Sequence, residues 1–225
     1  MIAVPREDYR ASLDDLRANV ESMAEDVLTQ LQHALDALDN DDHTLARAVI
    51  DGDDHINQQY LDLESDCVDL IALQQPVAAD LRFVVASFKI LTDLERIGDL
   101  ATNLARYARA DIPAIVSDMR IQEIGETAVE QVRAAVDAYV AGDADACRAI
   151  ADRDDELDTS CQAANEAVVR ELIASDPDGW EIEQRLDGVL RLLLTIRDLE
   201  RVGDHAVNIA ARTLYMTEGA PELIY

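Results

Sequence analysis

Apolar residues recur at helical spacing along most of this chain. Met23, Val27, Leu31 and Leu35 fall on one helix face, and Ile124, Ala128, Val132 and Val136 repeat that face 101 residues later. Leu94, Ile97, Ala101 and Leu104 form another such stripe. Turn signals interrupt the pattern at Asp39-Asn40-Asp41-Asp42, Gln74-Gln75-Pro76, Ala141-Gly142-Asp143 and Ser175-Asp176-Pro177-Asp178-Gly179. The prolines suit the first turn of an incoming helix. The Ile112-Pro113 pair reads as a joint between two halves. The pattern predicts helices over 6–39, 43–74, 77–110, 114–141, 144–174 and 178–216. Helices of about thirty residues run about 45 Å at 1.5 Å per residue, and short turns between them force antiparallel neighbours. The expected fold is all-α, with two tandem pseudo-symmetric three-helix bundles over residues 1–112 and 113–225.

A repeated phrase supports the two halves. Asp93-Leu94-Glu95-Arg96-Ile97-Gly98-Asp99-Leu100-Ala101-Thr102-Asn103-Leu104-Ala105 returns 105 residues later as Asp198-Leu199-Glu200-Arg201-Val202-Gly203-Asp204-His205-Ala206-Val207-Asn208-Ile209-Ala210. Leu45 to Asp54 likewise matches Ala146 to Asp155 at the 101-residue offset. The difference of about four residues between the two offsets is the size of a loop change, so the helices stay in step.

Each copy of the phrase places an acid, an acid and an amide at i, i+4 and i+8: Glu95, Asp99 and Asn103, then Glu200, Asp204 and Asn208. With Glu95 as origin, Asp99 and Asn103 fall within about 80° on the helical wheel, opposite the apolar stripe. The acids are therefore expected on the bundle surface. The middle helix of each half adds a second pair, Asp53 with Asn57 and Asp154 with Asp158. Oxygen donors converging from two helices suit a hard or borderline metal ion, because close carboxylates repel one another unless a cation lies between them. The alternative is a metal-free helical adaptor whose acidic faces are merely solvated. Arg96 and Arg201 are expected to form ion pairs with a neighbouring helix. Gly98 and Gly203 each cost roughly 1 kcal/mol mid-helix relative to alanine, so their recurrence points to a close approach of another helix or a ligand. His205 replaces Leu100 and stands outside the symmetric set, beside the stripe or at the surface.

Charge narrows the classes further. Forty-seven acids against nineteen bases give a net charge of −28, a field that repels nucleic acid and anionic lipid surfaces. Lys89 is the only lysine, and aspartate outnumbers glutamate 31 to 16 although it is the poorer helix former. Both features suit a high-salt cytoplasm, where screening reduces self-repulsion. Cys67, Cys147 and Cys161 lack metal-ligand spacing and read as buried free thiols. Arg6, Glu7 and Asp8 occupy the place of a signal peptide's apolar region, and no apolar run approaches the ~18 residues of a membrane span. A soluble, cytoplasmic protein is expected, with no nucleic acid partner and no membrane insertion. The four histidines lack the Glu-x-x-His spacing of di-iron carboxylate enzymes, and no nucleophile elbow, P-loop or zinc motif occurs. Nothing in the chain argues for catalysis.

The segment Gln74-Gln75-Pro76-Val77-Ala78-Ala79-Asp80-Leu81-Arg82, followed by Lys89 to Asp99, resembles a signature of the PhoU family of phosphate-uptake regulators. Leu199 to Ala210 resembles the family's second signature, and the resemblance covers about residues 10–215. It implies a six-helix, two-repeat fold, a homodimer or larger assembly, and negative regulation of phosphate uptake. It also implies partnership with the ATPase subunit of a phosphate ABC transporter and with a sensor histidine kinase. Metal of the iron, zinc or manganese class would bind at Asp53 with Asn57, Glu95 with Asp99, Asp154 with Asp158, and Glu200 with Asp204. Asn57 departs from the acidic pattern, and Asp176-Pro177-Asp178-Gly179-Trp180 replaces the proline signature in the second half. The composition resembles the halophilic archaeal branch. Arg82, Lys89 and Arg96 form a basic stripe on an acidic molecule, and the docking surface for an acidic partner is expected there.

Overall fold

Six helices order the chain: α1 (Arg6–Asp39), α2 (His43–Gln74), α3 (Ala78–Ala108), α4 (Ile121–Ala141), α5 (Ala144–Ala174) and α6 (Glu181–Glu218). The computed structural model describes residues 6–108, 121–174, 181–219 and 221–223. The Ile112-Pro113 joint, the segment from Asp176 to Trp180, and the expected helix bounds at 110, 114 and 178 lie outside them. The predicted elements are present, with one local difference. Gln75 takes a left-handed conformation (φ 51°) that ends α2, so α3 starts at Ala78 and Pro76 sits in the turn rather than in the helix.

The first turn of each half is built alike. Asp42 Oδ1 accepts from the amides of Thr44 and Leu45 at 2.9 and 3.0 Å, and Asp143 Oδ1 accepts from those of Asp145 and Ala146 at 3.0 Å each. Just before each cap stands a residue of positive φ, Asp41 at 49° and Gly142 at 65°. The same turn chemistry therefore launches α2 and α5.

Within each half the three helices pack on one another, and the halves meet through α3 against α6 and α1 against α4. Asp93 reaches His205 while Tyr107, further along α3, reaches Asp198, earlier in α6, so these two central helices run antiparallel. The core fills the layers between them, with Leu31, Leu94, Ile97, Leu104, Val132, Ile196, Leu199 and Ile209 essentially inaccessible. Phe83 stacks on Tyr139 with ring centroids 6.2 Å apart, and the Arg17 guanidinium lies 4.9 Å from the Phe83 ring. Cys67, Cys147 and Cys161 are buried and unpaired as expected, and burial pushes their thiols up to about 12, 11 and 12. No helix of the described residues is long and apolar enough to cross a membrane.

Candidate functional site

The repeated glycines explain how α2 approaches α3 and α5 approaches α6. A Cβ at Gly98 would lie 3.2 Å from Ile56 Cγ2, and one at Gly203 would collide with Leu157 Cδ2 and lie 3.1 Å from Asp154 Oδ1. Ile56 and Leu157 are equivalent residues of the two middle helices, so the close approach anticipated from the sequence is a helix, repeated in both halves. It brings Asp53 beside Glu95 and Asp154 beside Glu200.

The stripes are less exposed than the helical wheel suggests. The Glu95 side chain is only 20% exposed and that of Asp99 44%, because α2 packs against that flank of α3. Burial raises the Glu95 pKa above the usual carboxylate range, the Asp99 and Asp53 charges add to the rise, and Arg96 and His205 oppose it. In the second half burial raises Asp154, Asp158 and Glu200. The charges of Asp158 and Asp204 push Asp154 up further, and those of Asp158, Asp204 and Asp154 do the same to Glu200, while the Gln131 amide restrains Asp154.

The two sites have diverged in how they manage this repulsion. In the first, Asp53 Oδ1 accepts from the Thr102 hydroxyl at 2.9 Å and Oδ2 from the Asn57 amide at 3.2 Å. Arg96 adds an internal cation 3.6 Å from both Glu95 and Asp99. In the second, Val207 replaces Thr102 and Asp158 replaces Asn57. Arg201 points to Asp198 at 3.7 Å, and Asp154 accepts from Gln131 at 2.8 Å. The charges of Asp154, Asp158, Glu200 and Asp204 thus act on one another there with no internal cation among them.

Several expectations need correction. Among the described residues, Arg96 and Arg201 pair with acids of their own helices rather than with a neighbour. Asn57 donates through its amide nitrogen to Asp53, and the Asn103 amide oxygen is engaged by Arg106 at 2.9 Å. Asn208 is half-buried on α6. His205 is not a surface residue: its Nδ1 lies 2.9 Å from Asp93 Oδ1, with both side chains under 20% exposed. Among the described residues, no three His, Cys, Asp or Glu side chains stand close enough to hold a metal ion as they are arranged. Of the basic stripe, Lys89 is exposed, Arg82 is half-buried with its Nε unpartnered, and Arg96 is occupied by the first acidic site.

Other residues that matter here escape a reading by stripes. Gln30 and Gln131, buried at equivalent places on α1 and α4, hold the two aspartates: Gln131 directly, Gln30 through Thr102 at 3.1 Å. Their 101-residue spacing within an apolar face was the available signal. Asp198 is fully buried, accepting from Tyr107 Oη at 2.9 Å and from Arg197 at 2.8 and 3.1 Å. Asp93 and Asp198 are the same residue of the repeated phrase, and each reaches across to the other half.

The PhoU domain model matches residues 20–108 and again 121–213. The chain belongs to the PhoU family. It is 34% identical to the phosphate-specific transport system accessory protein PhoU homolog of Pseudomonas aeruginosa, over 95% of this chain and 86% of that protein. It is 32% identical to the corresponding accessory protein PhoU of Escherichia coli, over 94% and 86%. The crystal structure of PhoU from Pseudomonas aeruginosa superposes with a TM-score of 0.85 at 33% identity, covering 94% of this chain and all of that one. The phosphate transport system regulatory protein PhoU from Streptococcus pneumoniae gives the same TM-score at 25% identity, covering 94% and 98%. By name these relatives are accessory and regulatory proteins of phosphate transport systems.

Proposed function

We propose that this PhoU protein is a non-enzymatic accessory protein of a phosphate-specific transport system that restrains phosphate uptake. The observation that carries this reading is the match to PhoU accessory proteins along nearly the whole of both chains, with both domains in order. The test is complementation. In a bacterial strain lacking its own PhoU, expression of this chain should restore control of phosphate uptake, measured with labelled phosphate in phosphate-replete cells. Uptake as high as in the uncomplemented strain would overturn the assignment.

The partner in this reading is the transporter's cytoplasmic ATPase subunit, with a sensor histidine kinase beyond it, and the protein works in the cytoplasm as a homodimer. Arg82 and Lys89 are the basic positions left for an acidic partner, since Arg96 is engaged by Glu95 and Asp99. Charge reversal at Arg82 and Lys89 should abolish pull-down of the ATPase subunit while leaving the helical spectrum intact. Unchanged pull-down would remove this face from the docking surface.

The acidic sites are read as cation sites, supported by the chemistry of their donors. Asp154, Asp158, Glu200 and Asp204 form an all-oxygen set suited to an ion of the iron, zinc or manganese class. A bound cation would supply the counter-charge that these carboxylates lack. Asp158 and Asp204 are exposed and free to turn inward. The first site, with Arg96 already between its acids, is the weaker of the two. Elemental analysis after exposure to iron, zinc and manganese should find metal that Glu200→Ala with Asp204→Ala removes, while Glu95→Ala with Asp99→Ala removes little. Metal-free wild-type protein would favour the adaptor reading, in which the acids are only solvated.

A further inference from the structure

Each half leaves an apolar strip uncovered beside its acidic site. On α2 and α3 the strip is formed by Val68, Leu81 and Val85, and on α5 and α6 by the equivalent Val169, Leu186 and Leu190. Val68, Val85, Val169 and Leu190 are between 36% and 55% exposed. The close approaches of Ile56 to Gly98 and of Leu157 to Gly203 fix how the middle and third helices align. Val68 stands twelve residues beyond Ile56, and Val85 thirteen before Gly98; Val169 and Leu190 keep the same spacings from Leu157 and Gly203. These helices are antiparallel neighbours, so each pair lies at one level across its seam.

The strips run into the acidic sites on the same outer face. On a helical wheel Leu81, Val85, Glu95 and Asp99 fall within about 80° on α3, as do Leu186, Leu190, Glu200 and Asp204 on α6. Leu81 and Glu95 are separated by about 21 Å along the axis, about four turns. A single exposed leucine is ordinary. Here the same positions are apolar in both halves, although surface neighbours have diverged, with Leu61 matched by Gln162 and Lys89 by Leu194. The strips are not what holds the six helices together, because α2 packs on α1 and α3, and α5 on α4 and α6.

We propose that each strip receives one amphipathic helix of a partner protein, its apolar side against the strip and a basic residue at the end that meets the carboxylates. The seam between two antiparallel helices is a groove that the side-chain ridges of a third helix fit. Charge selects the occupant. Each strip ends on acids, and in the second half Arg201 turns to Asp198 and leaves them without an internal cation. A lysine or arginine supplies that counter-charge. The net charge of −28 opposes both a second copy of the chain and an anionic lipid surface as the cover. Because the strips are equivalent, one chain takes two such helices. The inference goes beyond the transport-accessory reading, since complementation measures control of uptake and the experiment below measures what the strips bind.

The test titrates the full, chelator-treated chain by calorimetry. The probe is a synthetic amidated peptide of about 18 residues, long enough to span a strip, with leucines on one helical face, alanine and glutamine elsewhere and lysines at one end. Two peptides should bind per chain. Val68→Gln with Val85→Gln should leave one site, Val169→Gln with Leu190→Gln should leave the other, and the two pairs together should leave none. A scrambled peptide of the same composition should bind about tenfold more weakly or worse, as should one with glutamates in place of the lysines. The four substituted side chains are exposed, and far-UV circular dichroism checks that the variants fold. Equal binding of either control peptide would overturn the proposal, as would a stoichiometry that neither pair changes. A wild-type dimer that light scattering finds converted to monomer by these substitutions would also overturn it, because a second copy would then cover the strips.

Discussion

Alanine at Gly98 and alanine at Gly203 are equivalent substitutions by sequence, but the structure separates them. Both replace a mid-helix glycine, which gains about 1 kcal/mol of helix propensity. At position 98 the new methyl would lie 3.2 Å from Ile56 Cγ2, so a shift of a few tenths of an ångström relieves it. Gly98→Ala should therefore be neutral or stabilising by up to about 1 kcal/mol. At position 203 the methyl would collide with Leu157 and crowd Asp154, and Leu157 is 1% exposed with nowhere to swing. Overpacking of that kind costs about 1–3 kcal/mol, leaving a net loss of up to about 2 kcal/mol after the propensity gain. The two variants should differ by about 1.5 kcal/mol, which for a chain of this size corresponds to a Tm gap of about 3–6 °C. Thermal and urea unfolding followed by far-UV circular dichroism measure it. Adding Leu157→Val to Gly203→Ala should recover stability, although Leu157→Val alone costs about 1 kcal/mol. A Gly203→Ala protein as stable as Gly98→Ala would refute the claim that a middle helix closes on that glycine.

Three further outcomes follow from the electrostatics. Tyr107→Phe removes a hydroxyl donor from the buried Asp198 and should cost about 1–2 kcal/mol in urea unfolding, with Arg197 still holding the carboxylate. Because the Glu95, Asp154, Asp158 and Glu200 carboxyls titrate above their unfolded values, the folded state binds more protons in that window. Their contribution to stability is full below the usual carboxylate range and is lost as pH rises through the raised values. Glu200→Gln should flatten this fall when urea midpoints are compared across acid to neutral pH. With a net charge of −28, Tm should rise as potassium chloride increases from physiological ionic strength, where the Debye length is about 8 Å, toward molar concentration, and a flat or falling Tm would contradict this.

The sequence by itself determined the helices, their register and the two-fold repetition. Each helix carries its own record of which side is buried, in the spacing of residues such as Met23, Val27 and Leu31, and turns such as Asp41-Asp42 are set by local chemistry. The family was legible for the same reason, since its signature is a run of adjacent residues. Periodicity says which face of a helix is polar, but not what stands opposite it or how far a side chain is covered. That is why Glu95 reads as a surface acid and is in fact largely covered by α2, and why His205 reads as an exception and is a link to Asp93. It is also why the identical Arg96 and Arg201 turn to different acids. Tertiary packing alone decided these points, because burial, like-charge repulsion and side-chain direction are set by residues distant in the chain that only the closed bundle brings within reach.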